Sequence, residues 1–135
     1  MNINNDNPIF SVILSNFNYE QFVGQSIESI LSQTFNNYEI IIVDDGSLDG
    51  SRRVIENYQD TRITRIYKEN GGQASAFNAG FKRCRGRYIA FLDSDDLFDN
   101  DKLEKLYSIF INKEYALVQH QLRIIDGKSN DTGRL

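Results

Sequence analysis

The chain has 135 residues, of which 40% are hydrophobic and 25% are charged. This composition is typical of one globular domain and excludes a fibrous, collagen-like or disordered protein. Its net charge of −4 argues against a general nucleic-acid binder, which needs positive charge to neutralise phosphates. The one cysteine, Cys84, excludes an internal disulfide, and no cysteine or histidine spacing predicts a zinc site.

The chain contains no segment with the pattern of a membrane span or a leader. No run approaches the roughly 18 to 20 apolar residues that cross a bilayer. The Asn-rich start has neither a basic region nor an apolar core. We therefore expect a flexible segment over residues 1–8 and a cytoplasmic chain without a transmembrane segment, with peripheral attachment to the inner face of the cell membrane also open.

The first two predicted elements are a strand and a helix. Residues 9–15 form a short run rich in Ile, Val and Phe directly after Pro8, which favours a strand. Apolar residues then recur every three or four positions over residues 20–33, which predicts an amphipathic helix. Asn18 and Gln21 have the spacing of a variant capping box at its start.

A second strand, helix and strand follow. The Ile/Val run over residues 39–43 is typical of a strand buried on both faces, as in a parallel sheet. Ser47 or Asp49 can cap the next helix. Residues 63–67 alternate in the manner of a third strand. The inward face of the intervening helix is predicted to comprise Val54, Ile55 and Tyr58.

The third helix follows Gly71 and Gly72, a pair that fits a plain loop as well as a phosphate cradle. We expect Gly86 to end this helix as a left-handed cap, before a fourth strand at residues 88–92. The stripe predicted to face the core is Ala74, Phe77, Phe81 and Cys84.

The last predicted elements are a helix and an extended segment. Asp99 or Asn100 can cap the helix, and residues 116–125 read as a fifth extended segment ending in a turn at Asp126 and Gly127. Alternating strands and helices predict an α/β domain with a mainly parallel sheet and helices on both faces. The helix face is predicted to contain Leu103, Leu106, Tyr107 and Phe110.

Acidic residues follow two of these strands. Asp44 and Asp45 come after the second strand, and Asp93, Asp95 and Asp96 come after the fourth. Carboxylates repel one another, so their convergence favours a bound divalent cation such as Mg²⁺ or Mn²⁺, which prefer oxygen ligands. Capping explains Asp49 and Asp99, but three carboxylates within four residues exceed what one helix cap needs.

Four stretches together resemble the signatures of family 2 glycosyltransferases with the Rossmann-like GT-A fold. They are residues 11–18, 39–49, 70–80 and 86–96, and they occur in the family's order on the expected strand ends and helix. The resemblance covers nearly everything from Phe10 to about Phe110. It implies that residues 9–135 are the nucleotide-sugar-binding N-terminal part of a longer GT-A catalytic domain.

The resemblance also implies an activity. Members transfer a sugar from a nucleotide-sugar donor, most often a UDP-sugar, to a hydroxyl acceptor such as a glycan or a lipid-linked sugar. The reaction inverts the anomeric centre and depends on Mn²⁺ or Mg²⁺. Surface-glycan and polysaccharide biosynthesis is the implied setting.

Five residues acquire roles from this resemblance. Asp45 would accept a hydrogen bond from the base of the nucleotide, with Ser15 and Phe17 lining the same pocket. Asp95 would bind the metal beside the diphosphate, and Asp93 would lie near the ribose or the metal's waters. The usual Pro-Thr-Tyr-Asn at the end of the first strand is replaced here by Ser-Asn-Phe-Asn, although a phenyl ring can still pack on a base.

The general base is not assigned. Glu114, Asp126 and Asp131 do not lie in a context that resembles the family's base motif, so we expect the base beyond Leu135. Two other interpretations stay open. One is a Mg²⁺-dependent phosphoryl-transfer domain, and the other is a nucleotide-sugar-binding domain without catalytic activity.

Overall fold

The structure, a computed structural model, describes residues 7–134. The chain divides into a first compact unit that extends to Lys105 and a second that begins at Leu106. The predicted flexible segment, residues 1–8, lies outside the described residues except for its last two.

The first unit is built on a four-stranded parallel sheet with the strand order β3-β2-β1-β4. The predicted α/β fold with a mainly parallel sheet is confirmed. The strands are β1 (Phe10–Asn16), β2 (Tyr38–Asp44), β3 (Ile63–Tyr67) and β4 (Tyr88–Asp93). The helices are α1 (Val23–Leu31), α2 (Ser51–Glu56), α3 (Gln73–Phe81) and α4 (Lys102–Asn112), and the division between the units falls within α4.

Every residue of β1 and β2 is buried, as the Ile/Val run predicted for β2. Ile13 and Ile41 pack with Ala76 of α3 on one face of the sheet. Their neighbours Val12 and Leu14 point to the opposite face and are also fully buried. Helices α1 and α2 also contact β1 and β2. The sheet therefore has helices on both faces, as predicted.

The strand order creates a reversal next to β1. The chain runs from β1 outward through β2 to β3, and then returns to the other side of β1 to form β4. In open α/β sheets, ligands bind outside the carboxyl ends of the strands at such a reversal. The topology therefore predicts a ligand site among the loops that follow β1, β2 and β4.

The buried face of α3 differs from the predicted stripe. Ala74 is exposed and Phe81 is 59% exposed, whereas Ala76 and Gly80 are buried. A Cβ atom on Gly80 would lie 2.6 Å from Cγ2 of Ile13. Small residues thus let α3 lie close to the sheet, and a prediction based on large apolar side chains could not find this face. Cys84 packs partly buried against the same core, in agreement with the prediction.

The predicted role of Gly86 is wrong. Helix α3 ends at Phe81 with Lys82 as its C-cap, and Gly86 is not among the described glycines with a positive φ. Gly86 instead lies against β1, where an added Cβ would come within 2.4 Å of the backbone nitrogen of Ser11. The glycine lets the segment before β4 lie close to the backbone of β1, and it does not form a left-handed turn.

The predicted capping box of α1 is also wrong. Helix α1 begins at Val23, and its N-cap, Phe22, makes no side-chain capping hydrogen bond. Asn18 adopts a left-handed conformation with φ of 57°, and its Oδ1 accepts a hydrogen bond from the amide of Leu48. The Asn18 side chain, which the local spacing assigned to the start of α1, therefore binds the loop after β2 instead.

The starts of α2 and α4 are stabilised differently. The N-cap of α2 is Gly50, which has no side chain, so neither Ser47 nor Asp49 is the N-cap that the sequence predicted. Asp49, which precedes Gly50, still contributes, because its Oδ1 accepts a hydrogen bond of 3.0 Å from the amide of Ser51, the first residue of α2. In the first turn of α4, the amide of Leu103 donates to Oε1 of Gln33 at 2.9 Å. The amide at the start of this helix is thus satisfied by a glutamine 70 residues earlier in the chain. A pattern of neighbouring residues could not predict this partner.

The second unit contains a small antiparallel hairpin of β5 (Ile124–Ile125) and β6 (Asp131–Arg134). The predicted turn after β5 is confirmed, because Asp126 Oδ1 accepts the amides of Lys128 and Asn130 at 2.8 and 2.9 Å. Of the predicted extended segment 116–125, only the last two residues are a strand. Among the described residues, no helix is both long enough and apolar enough to cross a membrane.

Candidate functional site

A cleft of about 290 Å³ lies at the carboxyl ends of β1, β2 and β4. It occupies the position that the strand reversal indicates. Its lining combines aromatic, amide and acidic side chains: Ser15, Phe17, Tyr19, Asp45, Asn70, Gly72, Gln73, Asp93, Ser94 and Asp95.

The register of the sheet explains why the predicted residues meet here. Ser15 of β1 is paired with Val43 of β2 on one side and with Asp93 of β4 on the other. Asp45 follows β2 directly. The cleft thereby brings together all five residues singled out from the sequence: Ser15, Phe17, Asp45, Asp93 and Asp95. Their roles in binding stay predictions.

Asp45 connects the end of β2 to the loop that precedes α3. Its side chain is almost fully buried and accepts hydrogen bonds from Nζ of Lys68 and from the amides of Gly71 and Gly72, the last at 2.7 Å. Burial alone would raise the pKa of this carboxyl, but the bonds from Lys68 and the two glycine amides lower it below its usual value. The two glycine amides are thus engaged by a carboxylate of the chain.

Asp44 is the last residue of β2 and is completely buried. It accepts hydrogen bonds from Nδ2 of Asn16 and Nε of Arg52, both at 2.9 Å, and from the amide of Ser47 at 3.1 Å. Burial again opposes ionisation, and the bonds from Ser47, Arg52 and Asn16 outweigh it, so that the pKa of Asp44 is lowered. This network holds the ends of β1 and β2 together below the cleft.

The loop after β1 carries the aromatic side of the cleft. Asn18 makes two of the hydrogen bonds that attach this loop to the loop after β2: the amide of Asn18 donates to Oγ of Ser47 at 2.9 Å, and the amide of Leu48 donates to Oδ1 of Asn18 at 2.7 Å. Phe17 and Tyr19 flank Asn18 and are 42% and 41% exposed. Sequence reasoning noted the missing tyrosine hydroxyl at the end of β1 but not that Tyr19, two positions after Phe17, lines the same cleft.

The acidic turn, defined as residues 93–96, follows β4. Ser94 anchors it, because its amide and Oγ both donate to the carbonyl of Ser15 at 3.1 and 2.9 Å. Oγ of Ser26 donates in turn to the carbonyl of Ser94 at 2.9 Å. Ser94 is buried, while Asp95 and Asp96 on its far side are exposed. Two buried serines, Ser94 and Ser26, therefore attach the turn to the rest of the unit and leave Asp95 and Asp96 exposed.

The carboxylates of the acidic turn converge. Asp93, Asp95 and Asp96 each offer an oxygen atom, and these atoms lie within 4.8 Å of one another. Burial raises the pKa of Asp96, and the charges of Asp95 and Asp93 raise it further. Three oxygen donors at this separation suit a hard divalent cation such as Mn²⁺ or Mg²⁺, which would relieve their mutual repulsion.

Gln73, the first residue of α3, also contacts the acidic turn and was not identified from the sequence. Its side-chain nitrogen donates a hydrogen bond of 2.6 Å to Oδ1 of Asp93. A glutamine in a Gly-rich stretch has no distinctive spacing, so only the fold reveals this contact. Asn70 and Ser94 entered the sequence analysis as parts of motifs, without a role of their own.

Comparison with known proteins identifies related chains. The family described as "Glycosyl transferase family 2" matches residues 11–135. An uncharacterized glycosyltransferase of Nostoc sp. is 45% identical over 120 residues, which are 87% of this chain and 37% of the relative. The Escherichia coli UDP-Glc:alpha-D-GlcNAc-diphosphoundecaprenol beta-1,3-glucosyltransferase WfgD is 35% identical over 92% of this chain and 49% of its own length.

Solved structures are similar as well. S. aureus TarS 1-349 in complex with UDP-GlcNAc has a TM-score of 0.72 and 26% identity over 76% of this chain and 31% of its own. The mannosyltransferase PcManGT from Pyrobaculum calidifontis, in complex with GDP-Man and Mn²⁺, has a TM-score of 0.65 and 27% identity over 72% of this chain and 30% of its own. The chain spans 37% to 51% of the length of the first curated relatives.

Proposed function

Because the chain belongs to glycosyl transferase family 2 and has the Rossmann-like GT-A fold, we propose that residues 9–135 bind the nucleotide-sugar donor of an inverting, metal-dependent glycosyltransferase. The observation that carries the proposal is the composition of the cleft. One side offers exposed aromatic rings and a buried carboxylate, and the other offers Asp93 and Asp95, whose carboxylates converge with that of Asp96. A nucleoside diphosphate has the matching halves, an aromatic base and a charged diphosphate.

The base of the donor packs against Phe17 in this proposal, with Ser15 and Asp45 in the same part of the cleft. Three of the four hydrogen bonds that Asp45 already accepts come from the amides of Gly71 and Gly72, so Asp45 shapes this part of the cleft as well as facing it. Tyr19 adds a phenol group beside Phe17. A UDP-sugar is the preferred donor, since the complex of TarS with UDP-GlcNAc is among the similar structures.

Asp95 binds Mn²⁺ or Mg²⁺ in this proposal, and Asp93 lies near the ribose or the metal's waters. The cation supplies Lewis-acid stabilisation of the negative charge that grows on the departing nucleoside diphosphate. Ser94 keeps the two aspartates on the rim of the cleft through its bonds to Ser15. The Mn²⁺ in the PcManGT complex supports a divalent cation at this kind of site.

The proposed reaction forms a bond between an acceptor hydroxyl oxygen and the anomeric carbon while the bond from that carbon to the diphosphate breaks. Attack from the opposite face inverts the configuration, and a general base takes the hydroxyl proton. That base stays a prediction outside residues 9–135. We propose an acceptor on a glycan or lipid-linked sugar in polysaccharide biosynthesis, at the inner face of the membrane, since the name of the E. coli relative specifies a lipid-linked acceptor.

Calorimetric titration of the chain with nucleotides tests the proposal. UDP, GDP, UDP-glucose and UDP-N-acetylglucosamine are titrated in the presence of Mn²⁺ and again with excess chelator. We expect binding of uridine nucleotides that is lost with the chelator. Asp95→Asn should weaken metal-dependent binding at least tenfold, because it removes a charged ligand.

Asp101→Asn is the matched control, since Asp101 follows the acidic turn closely in sequence but pairs with Lys105. It should bind like the unmodified chain. Equal binding with and without Mn²⁺, or an Asp95→Asn variant indistinguishable from the unmodified chain, would contradict the proposed metal-dependent donor site. Transfer of phosphate to an aspartate from a small phosphodonor would favour a phosphoryl-transfer domain instead.

A further inference from the structure

We propose that Gln73 is a positioning residue that holds the Asp93 carboxylate in the orientation needed for the cation and diphosphate. The inference rests on the proposed function, because it concerns the same cleft. It assigns a task to a side chain that neither the sequence motifs nor the strand ends single out.

The first support is the placement of α3. Two consecutive residues at its start contact opposite parts of the cleft: the amide of Gly72 donates to Asp45 Oδ2 at 2.7 Å, and the side chain of Gln73 donates to Asp93 Oδ1 at 2.6 Å. Asp45 follows β2, whereas Asp93 ends β4, on the other side of β1. The start of α3 therefore connects the proposed base side of the cleft to the proposed metal side.

The second support is the electrostatics of the acidic turn. Asp93 lies among like charges, since its carboxylate is within 4.8 Å of those of Asp95 and Asp96. Repulsion would turn an unsupported carboxylate away from its neighbours. A neutral amide donor on Oδ1 opposes this rotation without adding a positive charge that would compete with a cation. The second oxygen of Asp93 stays available for a cation or a ribose hydroxyl.

The third support is the exposure of Gln73. Its side chain is exposed, so replacing it removes a hydrogen bond without opening a cavity in the core. Among the described residues, its side chain donates its hydrogen bond to Asp93. We therefore expect replacement of Gln73 to lower the affinity for the ligand and to leave the folding stability unchanged.

The test compares Gln73→Met, which keeps the length of the side chain but has no N–H donor, with Gln21→Met, an exposed glutamine outside the cleft. Binding of Mn²⁺ to the UDP-saturated chain is measured by calorimetry. We expect Gln73→Met to weaken Mn²⁺ binding about tenfold, the lower end of the range for residues that orient metal ligands. Its melting temperature should stay that of the unmodified chain, and Gln21→Met should change neither quantity.

A second measurement examines the hydrogen bond without any ligand. The side-chain amide protons of Gln73, observed by NMR, should shift in Asp93→Asn as their charged acceptor is lost. Mn²⁺ affinity in Gln73→Met equal to that of the unmodified chain, or an amide signal unaffected by Asp93→Asn, overturns the inference. If the proposed function is wrong, the unmodified chain will show no Mn²⁺-dependent binding of UDP. The NMR signal of the Gln73 amide then still tests whether Gln73 donates a hydrogen bond to Asp93.

Discussion

At the scale of single residues, the Asp45 carboxylate stabilises a loop and also lines the cleft. Asp45 forms an ion pair with Lys68 and accepts hydrogen bonds from the amides of Gly71 and Gly72. These groups of the protein compensate its negative charge before a ligand binds. Such a carboxylate is pre-organised, because its position does not depend on the ligand. A change at Asp45 is therefore expected to affect loop order and binding together.

We predict that Asp45→Asn destabilises the protein by about 1 to 3 kcal/mol, since an amide group cannot accept the bonds from all three donors and leaves one unsatisfied. Hydrogen exchange at the amides of Gly71 and Gly72 should become faster, as followed by NMR. Asp101→Asn serves as the comparison, because its partner Lys105 is exposed and its loss should leave exchange in the Gly71 loop unchanged. Unchanged exchange in Asp45→Asn would show that the loop does not depend on this carboxylate.

Phe17 provides a second prediction at this scale. If its ring packs on the base of the donor, Phe17→Ala should weaken UDP binding by about 1 to 3 kcal/mol, the range for loss of one aromatic stacking partner. Phe81→Ala is the matched control, since Phe81 is exposed on α3 and does not line the cleft. Calorimetry with UDP and Mn²⁺ measures both variants. If Phe17→Ala binds UDP as tightly as Phe81→Ala does, the ring of Phe17 does not pack on the base.

At the scale of the elements, the close packing of α3 on the sheet determines where its first residues lie. Gly80 faces Ile13 and Val43, and a Cβ at this position would lie 2.6 and 3.2 Å from their Cγ2 atoms. The same helix begins with Gln73 at the cleft. We therefore expect a displacement of the helix at Gly80 to change the contacts of Gly72 and Gln73 with the aspartates.

We predict that Gly80→Ala lowers the free energy of unfolding by up to about 2 kcal/mol. The steric cost of overpacking, about 1 to 3 kcal/mol, exceeds the gain of about 1 kcal/mol from better helix propensity. Asn78→Ala, on the exposed side of α3, should be neutral or stabilising. Urea unfolding followed by circular dichroism measures both. A stabilised Gly80→Ala variant would mean that the helix can move away from the sheet without cost.

At the scale of the whole molecule, buried carboxylates occur at both ends of β2. Asp44 and Asp45 lie at its carboxyl end, and Glu39 lies near its start, where it accepts bonds from Oγ of Ser11 and from the amide and Nε of Arg85. Burial alone would raise the pKa of Glu39, but the bonds from Ser11 and Arg85 lower it below its usual value. Each of these three carboxyl groups therefore has a lower pKa in the folded chain than in the unfolded chain.

This arrangement predicts acid sensitivity. A lowered folded pKa means that the unfolded chain binds more protons between the folded and unfolded pKa values, so stability rises with pH in that window. The stabilisation is fully present above the ordinary values, 4.5 for Glu39 and 3.8 for Asp44. It is lost as the pH falls below them. Urea unfolding at several pH values should show this decline, and Asp44→Asn should reduce the slope. An identical slope in that variant would exclude Asp44 as a contributor.

The sequence alone determined the order and type of the strands and helices of the first unit, because hydrophobic periodicity reports burial locally. It also indicated Asp45, Asp93 and Asp95, because parallel strands end at one edge and acidic residues follow two of them, and the resemblance to family 2 glycosyltransferases added Ser15 and Phe17. Only the tertiary structure revealed Gln73, Tyr19, the cap from Gln33 and the buried face of α3. Each of these depends on contacts between residues far apart in the chain, and local spacing contains no information about such contacts.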